Sequence, residues 1–319
     1  MILGIDIGGT KLAAVAADDE GRILDRQETA TDAGADPETE LASLHELATQ
    51  AIHEAGRQPS DLRAIGVSCG GPLDTKTGTI YSPPNLPKWV AVPVKEWFSA
   101  RYPGIPVTLD NDANATALAE WRWGAGRGTR NMIFLTMGTG IGGGLILDGR
   151  LYRGTNDLAG EVGHQTIMPN GPLCECGKRG CLEALASGPA IARLAQERLG
   201  YGRGKALLSS AGGDAARISA KHVVEAAKSG DPFSAAILAE AGTYMGIGIA
   251  NLIQILNPER IVLGTIAVHA GDLILQPIRD SIAEHAWERA ASVCTVVPAE
   301  LGDRAQDLAA ISLALASLA

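Results

Sequence analysis

A chain of 319 residues has room for two domains with sizeable cores, and 46% hydrophobic against 20% charged residues is the balance of a globular protein in water. The formal net charge of -9 argues against nucleic-acid binding as the main business, because that needs a basic face; an anionic ligand must be held locally, by backbone N–H groups and metal ions. No segment reaches the roughly eighteen uninterrupted apolar residues of a membrane span. The start, MILGIDIGGTK, lacks the basic-then-apolar order of a secretory signal, so a reducing cytoplasm is expected.

In chain order, residues 2–7 (ILGIDI) read as a buried strand that turns at Gly8-Gly9. A second strand starts at Leu12, and Asp18-Asp19-Glu20-Gly21 turns into a third at 22–28. A helix is expected from Pro37 to Glu54, and a strand over 62–68 that ends in Cys69-Gly70-Gly71-Pro72. Residues 73–92 are rich in turn formers and are expected to be an exposed loop. A short strand over 107–109 then meets a helix from Asp112 to Trp123.

The pattern restarts with a strand over 132–136, a glycine turn at 138–140, and a strand over 142–147 closed by Asp148-Gly149. Helices are expected to dominate from Pro189 to Lys228, and Asp231-Pro232 has the N-cap and N1 chemistry of a helix running to Leu256. A strand over 261–263 ends at Gly264, and a last helix covers 305–318. The repeated strand, glycine turn, strand opening implies two similar α/β lobes facing a cleft: residues 1–111 with helix 305–319 packed back on them, and residues 112–304.

Three segments carry chemistry. In Asp6-Ile7-Gly8-Gly9-Thr10-Lys11, paired glycines let the backbone point N–H groups at phosphate oxygens; Asp6 can orient a Mg²⁺-bound water, and Thr10 and Lys11 can meet phosphates. Alone, such a Gly-Gly is also an ordinary hairpin turn. The run 138–144 (GTGIGGG) offers a second such turn, with Gly138, Thr139 and Gly140 at its tip. A strand follows it where a Rossmann loop has a helix, and it lacks the Gly-Lys-Ser/Thr of a Walker loop. Two such turns point to a nucleotide held between lobes. In Leu109-Asp110-Asn111-Asp112-Ala113-Asn114, one aspartate is expected to cap the helix and the other to accept a proton from a substrate hydroxyl.

Between Glu161 and Glu183 lie His164, Cys174, Cys176 and Cys181, one imidazole and three thiols. Soft thiolates with a neutral His favour tetrahedral zinc, and four protein ligands leave no open position for a catalytic water, so the zinc is structural. Cys69 and Cys294 sit in apolar runs and read as ordinary buried residues.

DIGGTK, DNDAN, GTGIGGG and GEVGH…CxCGxxGCLE together resemble the ROK family (repressors, open reading frames and kinases), over essentially the whole chain, and among its members the bacterial glucokinases. The resemblance implies an α/β two-lobed sugar-kinase/actin-like (ribonuclease H-like) fold and ATP-dependent phosphorylation of a hexose, with glucose at O6 favoured. It makes Asp112 the base, and Gly71, Asn85, Asn111, Glu161, His164 and Glu183 the sugar contacts. It also implies a homodimer or tetramer. Gly264-Thr265 stands where the family has Gly-Gly at the adenosine end, and a β-branched residue there disfavours positive φ and crowds the nucleotide. N-acetylmannosamine, N-acetylglucosamine or another hexose, and polyphosphate in place of ATP, stay open as substrates. A sugar-responsive repressor is the alternative of a different class; a first strand at Ile2 leaves no room for a helix-turn-helix, and the acidic charge disfavours DNA.

Overall fold

A computed structural model describes residues 1–200 and 202–318. The elements in chain order are β1 (Ile2–Ile7), β2 (Lys11–Ala17), β3 (Ile23–Ala30), α1 (Pro37–Glu54), β4 (Ala64–Cys69), β5 (Leu73–Asp74), β6 (Thr79–Ile80), α2 (Val94–Arg101), β7 (Val107–Asn111) and α3 (Asp112–Trp123). There follow β8 (Met132–Leu135), β9 (Gly143–Leu147), β10 (Arg150–Tyr152), α4 (Leu182–Ala186), α5 (Gly188–Arg198), α6 (Lys205–Ser210), α7 (Ala220–Lys228) and α8 (Pro232–Leu256). The chain finishes with β11 (Arg260–Leu263), α9 (Ile266–Ala270), α10 (Asp272–His285), α11 (Glu288–Ala291), β12 (Thr295–Pro298) and α12 (Ala305–Ala316).

The chain divides into two compact units. The first comprises Met1–Gly124, Arg153–Ala159 and Leu301–Ala319, and its sheet has the strand order β3-β2-β1-β4-β7. β1 runs antiparallel to β2 and parallel to β4, and all six of its residues are buried, as the apolar sequence of a central strand requires. β3, at the edge, is largely exposed. α1 is stopped at its start by Asp36, whose side chain accepts from the Glu38 amide, with Pro37 at the first helical position.

Two expectations change in this unit. The boundary placed at 111 falls at Gly124, because α3 packs on α12 and on β7 of the same unit. The stretch 73–92 is not simply an exposed loop: Ile80, Leu86 and Trp89 are buried in the core with Val94 and Phe98. Its backbone turns back on itself, with the Ser82 amide donating to the Trp89 carbonyl at 2.7 Å, and this sends the indole inward.

The second unit comprises Ala125–Tyr152 and Gly160–Glu300, with the strand order β10-β9-β8-β11-β12. Its first hairpin, β8 with β9, is antiparallel, and β11 joins β8 in parallel. Both sheets are therefore built on the same plan, a hairpin whose first strand gains a parallel neighbour after a crossover. α8 is the one helix among the described residues long and apolar enough to cross a membrane, with mean hydropathy 1.4, but Ile237, Leu238, Ala241, Met245 and Ile249 are buried against the unit's own helices. It is a core helix by packing, capped by Asp231 onto the Ser234 amide. Sequence reading did not resolve α9, α10, α11 or β12.

Candidate active site

In the first unit, the strand-to-helix junction at β7 and α3 sets the geometry. Asn111 is extended (φ -73°, ψ 158°) and is the N-cap, its side-chain oxygen accepting the Asn114 amide at 2.7 Å. Neither aspartate caps the helix, contrary to expectation, because an N-cap needs extended backbone and Asp112 is already the first helical residue. Asp110 is buried and holds three partners: the Asn111 amide, the Asn114 side-chain amide (both 2.8 Å) and the Arg153 guanidinium (2.7 Å). That leaves the Asp112 carboxylate with only the backbone amides of Asp112 and Ala113 beside it, on the wall of a pocket of about 120 Å³.

The same pocket is lined by Asp6, Gly8, Gly9, Cys69, Asn85 and, from α12, Gln306. Gly9 has to be glycine because Asn85 lies where its Cβ would stand. Thr10, Lys11, Gly71 and Asn111 do not line it; the Lys11 amine is 3.7 Å from Glu28 on the surface, a weak exposed pair. The Gly8-Gly9 turn is braced from β3's end, where the Thr31 hydroxyl donates to the Gly8 carbonyl at 2.7 Å.

Charge in this pocket is unbalanced. Burial, then the neighbouring Asp112 charge, pushes the Asp6 carboxyl up to about 7. Asp112 reaches solvent through the pocket mouth, yet the surrounding walls desolvate it and raise its pKa as well. Burial also raises the Cys69 thiol, with both carboxylates adding to the effect, so this cysteine stays protonated and unreactive. A half-desolvated carboxylate facing an open pocket is a proton acceptor, and a second one beside it is suited to a cation.

In the second unit, the turn 138–144 is held by the Gly138 amide on the Gly140 carbonyl (2.9 Å) and the Thr136 amide on the Gly142 carbonyl (3.0 Å). Gly264 and Thr265 lie alongside: Thr265 has φ +54°, and its hydroxyl is 3.0 Å from that of Thr136. A β-branched residue adopts this conformation after all, at a cost of about 1–3 kcal/mol that the hydroxyl pair helps to offset. Glu183 reaches the same turn, accepting the Ile141 amide at 2.9 Å, while its other oxygen is 3.7 Å from the Cys174 sulfur.

His164, Cys174, Cys176 and Cys181 come together, with their ligand atoms all within 4.8 Å of one another. Cys176 and Cys181 sulfurs are 3.7 Å apart, as are the Cys174 sulfur and His164 Nδ1. Zn–S bonds of about 2.3 Å at the tetrahedral angle separate ligand atoms by roughly 3.8 Å, so the donor set and its spacing fit a four-coordinate zinc. His164 Nε2 points away from the cluster, 3.9 Å from a Glu161 oxygen. Cys294, expected to be buried, is half-buried.

A sequence model of the ROK family matches residues 2–317. The chain belongs to the ROK family. A glucokinase of Streptomyces coelicolor is 37% identical over 98% of this chain and 97% of its own length. The solved ROK family glucokinase of Streptomyces griseus, in complex with glucose and AMPPNP, is 36% identical with a TM-score of 0.80, covering 98% of both chains. The xylose repressor of Caldicellulosiruptor bescii is 31% identical over 99% of this chain but only 78% of its own length. The fold of this ROK protein is accordingly the actin-like α/β fold of the sugar kinases.

Arg153, Thr31 and Gln306 escaped the sequence reading. Arg153 stands seven residues before the ROK GEVGH motif, with nothing local to mark it; only the fold brings it to Asp110. Thr31 and Gln306 reach the site only through β3 and α12.

Proposed function

We propose that this ROK protein is an ATP-dependent hexose kinase that phosphorylates glucose at O6. The observation that carries this reading is Asp112, uncapped at the start of α3 and facing the pocket it shares with Asp6 and the Gly8-Gly9 turn. Asp112 takes the proton from the O6 hydroxyl as the oxygen attacks the γ-phosphorus, and the bond to ADP breaks. Desolvation raises its pKa and so makes it a stronger proton acceptor than a solvated aspartate.

Asn85 and Asn111 contact ring hydroxyls; Asn111's oxygen is engaged in the cap, so its amide nitrogen is the group left to donate. Gly71, Glu161, His164 and Glu183 complete the sugar contacts, giving directional acceptors for a polyol. Gly8, Gly9, Thr10, Lys11, Gly138, Thr139 and Gly140 hold phosphates, and Gly264 and Thr265 the adenosine end. Asp6 would hold the Mg²⁺ that accompanies ATP, which would supply charge neutralisation at the transferring group. Zinc on His164, Cys174, Cys176 and Cys181 is structural. The relatives' names and the family resemblance favour glucose, and a cytoplasmic homodimer is part of the same reading.

Steady-state assay of ADP release tests it. Glucose with ATP is expected to exceed N-acetylmannosamine, N-acetylglucosamine and polyphosphate-driven turnover in kcat/KM. Asp112→Asn is expected to keep hexose KM within a few-fold and lose about 10²–10⁴-fold in kcat. Near-normal kcat in that variant removes Asp112 as base; an N-acetylhexosamine outpacing glucose removes the glucokinase reading.

A further inference from the structure

We infer that Arg153 is a positioning residue for the base, acting through Asp110; this rests on Asp112 as the proton acceptor. Asp110 is a carboxylate only 1% exposed, and Arg153 Nε is its charged partner at 2.7 Å. A carboxylate buried without such a partner is costly, so the Arg153 guanidinium offsets the burial of Asp110 and holds one of its oxygens in place. Its other oxygen serves two donors, the Asn111 amide and the Asn114 side chain.

Those two donors flank Asp112 in sequence, one just before it and one two residues after. The Asn114 side chain is held by Asp110 while its backbone amide is held by Asn111, so the first turn of α3 is fixed from both sides of the base. The Arg153 guanidinium is thus the outer member of a polar chain that ends at the geometry of Asp112. It has no place on the pocket wall and touches no reacting atom. It belongs to the segment Arg153–Ala159, which is further held to the first unit by Asp157, whose carboxylate accepts the Thr75 amide (3.1 Å) and hydroxyl (2.9 Å).

A displacement of the base of about 1 Å is enough to cost some 10²-fold in rate. Arg153→Met is therefore expected to lower kcat by about 10–100-fold, with the Kd of AMPPNP by calorimetry unchanged. Arg153→Lys, which returns a positive charge to Asp110, is expected to recover most of the loss. Asp110→Ala with Arg153→Met removes the unpaired buried charge; it is expected to melt above Arg153→Met alone yet keep the low kcat. Recovery of kcat together with Tm in the double variant would show a structural role only and overturn the inference, as would near-normal kcat in Arg153→Met. If Arg153→Met does not fold, the double variant and Arg153→Lys decide by the same criteria. Asp112→Asn run alongside separates the two readings, since its full activity sinks the base itself and its inactivity leaves the Arg153 result to stand alone.

Discussion

Asp6 lies next to the end of the fully buried strand β1, and its carboxyl is raised to about 7 by burial first and Asp112 second, with Asp307 adding and Lys11 and Arg26 opposing. An unfolded aspartate titrates near 3.9. Because the folded pKa is the higher one, the folded state binds the proton more tightly; the penalty of an ionised Asp6 is absent below about pH 4, grows as pH rises towards 7, and is complete above it. Asp6→Asn is thus expected to melt close to the parent at pH 4 and clearly above it at pH 8, as measured by calorimetry. Equal shifts at both pH values would show that titration of Asp6 does not govern the difference. The same substitution should lower turnover, since the charge it removes is the one suited to the cation.

At the scale of elements, the ribbon between Glu161 and Glu183 folds with little regular structure. The Cys174 amide donates to the Lys178 carbonyl at 2.8 Å, and the Gly177 amide to the Cys174 carbonyl at 2.9 Å. Such a short ribbon has no core of its own, so a metal bound to its His/Cys cluster would carry much of its folding free energy. Because His164 offers one nitrogen to the cluster and Glu183 bridges from Cys174 to the Ile141 amide, metal loss should loosen both Glu161–His164 and the 138–144 turn. Chelation or Cys176→Ser is expected to lower Tm and to weaken glucose binding by about 10–100-fold, read by calorimetry alongside zinc content. Unchanged affinity after proven metal loss would confine the metal to folding. This ribbon was legible in the sequence because its ligand types and spacing are chemistry rather than periodicity. α8 was legible from its start, where Asp231-Pro232 has the chemistry of an N-cap and first helical residue, and the extents of α1 and α3 were read without their caps. The stretch 73–92 was misread because its prolines describe a backbone that turns, whereas the burial of Trp89 depends on where α2 lies. The capping of α3 was misassigned because Asp110, Asn111 and Asp112 are all good caps, and only the backbone at Asn111 tells them apart.

For the whole molecule, sequence distance matters most in how the first unit is closed. α12, from the far end of the chain, packs on β1, β4 and α3, and its Ala310, Ile311, Leu313 and Ala314 are fully buried. The Ser312 hydroxyl donates to the Ala115 carbonyl of α3 at 3.1 Å, and Asp307 pairs with Arg26 of β3 at 2.9 Å. A helix apolar on nearly every side must be enclosed, and it can lie this close to the sheet only because Gly66 of β4 has no side chain. A Cβ on Gly66 would fall on the Ala310 carbonyl oxygen and the Ala314 amide, which are backbone atoms with no rotamer to give way. Gly66→Ala should therefore push α12 outward at a cost of about 2 kcal/mol, or roughly 4–8 °C in Tm. Gly70→Ala is the matched control, since nothing lies within 4 Å of its Cβ. There the reduced freedom of the unfolded chain should leave Tm unchanged or slightly raised. Because α12 carries Gln306 and Ala309 into the wall of the pocket that holds Asp112, the Gly66→Ala enzyme should also lose kcat at temperatures well below its melting point. A Gly66→Ala protein that melts like the Gly70→Ala control and turns over like the parent would show that the contact between α12 and β4 constrains neither stability nor the site.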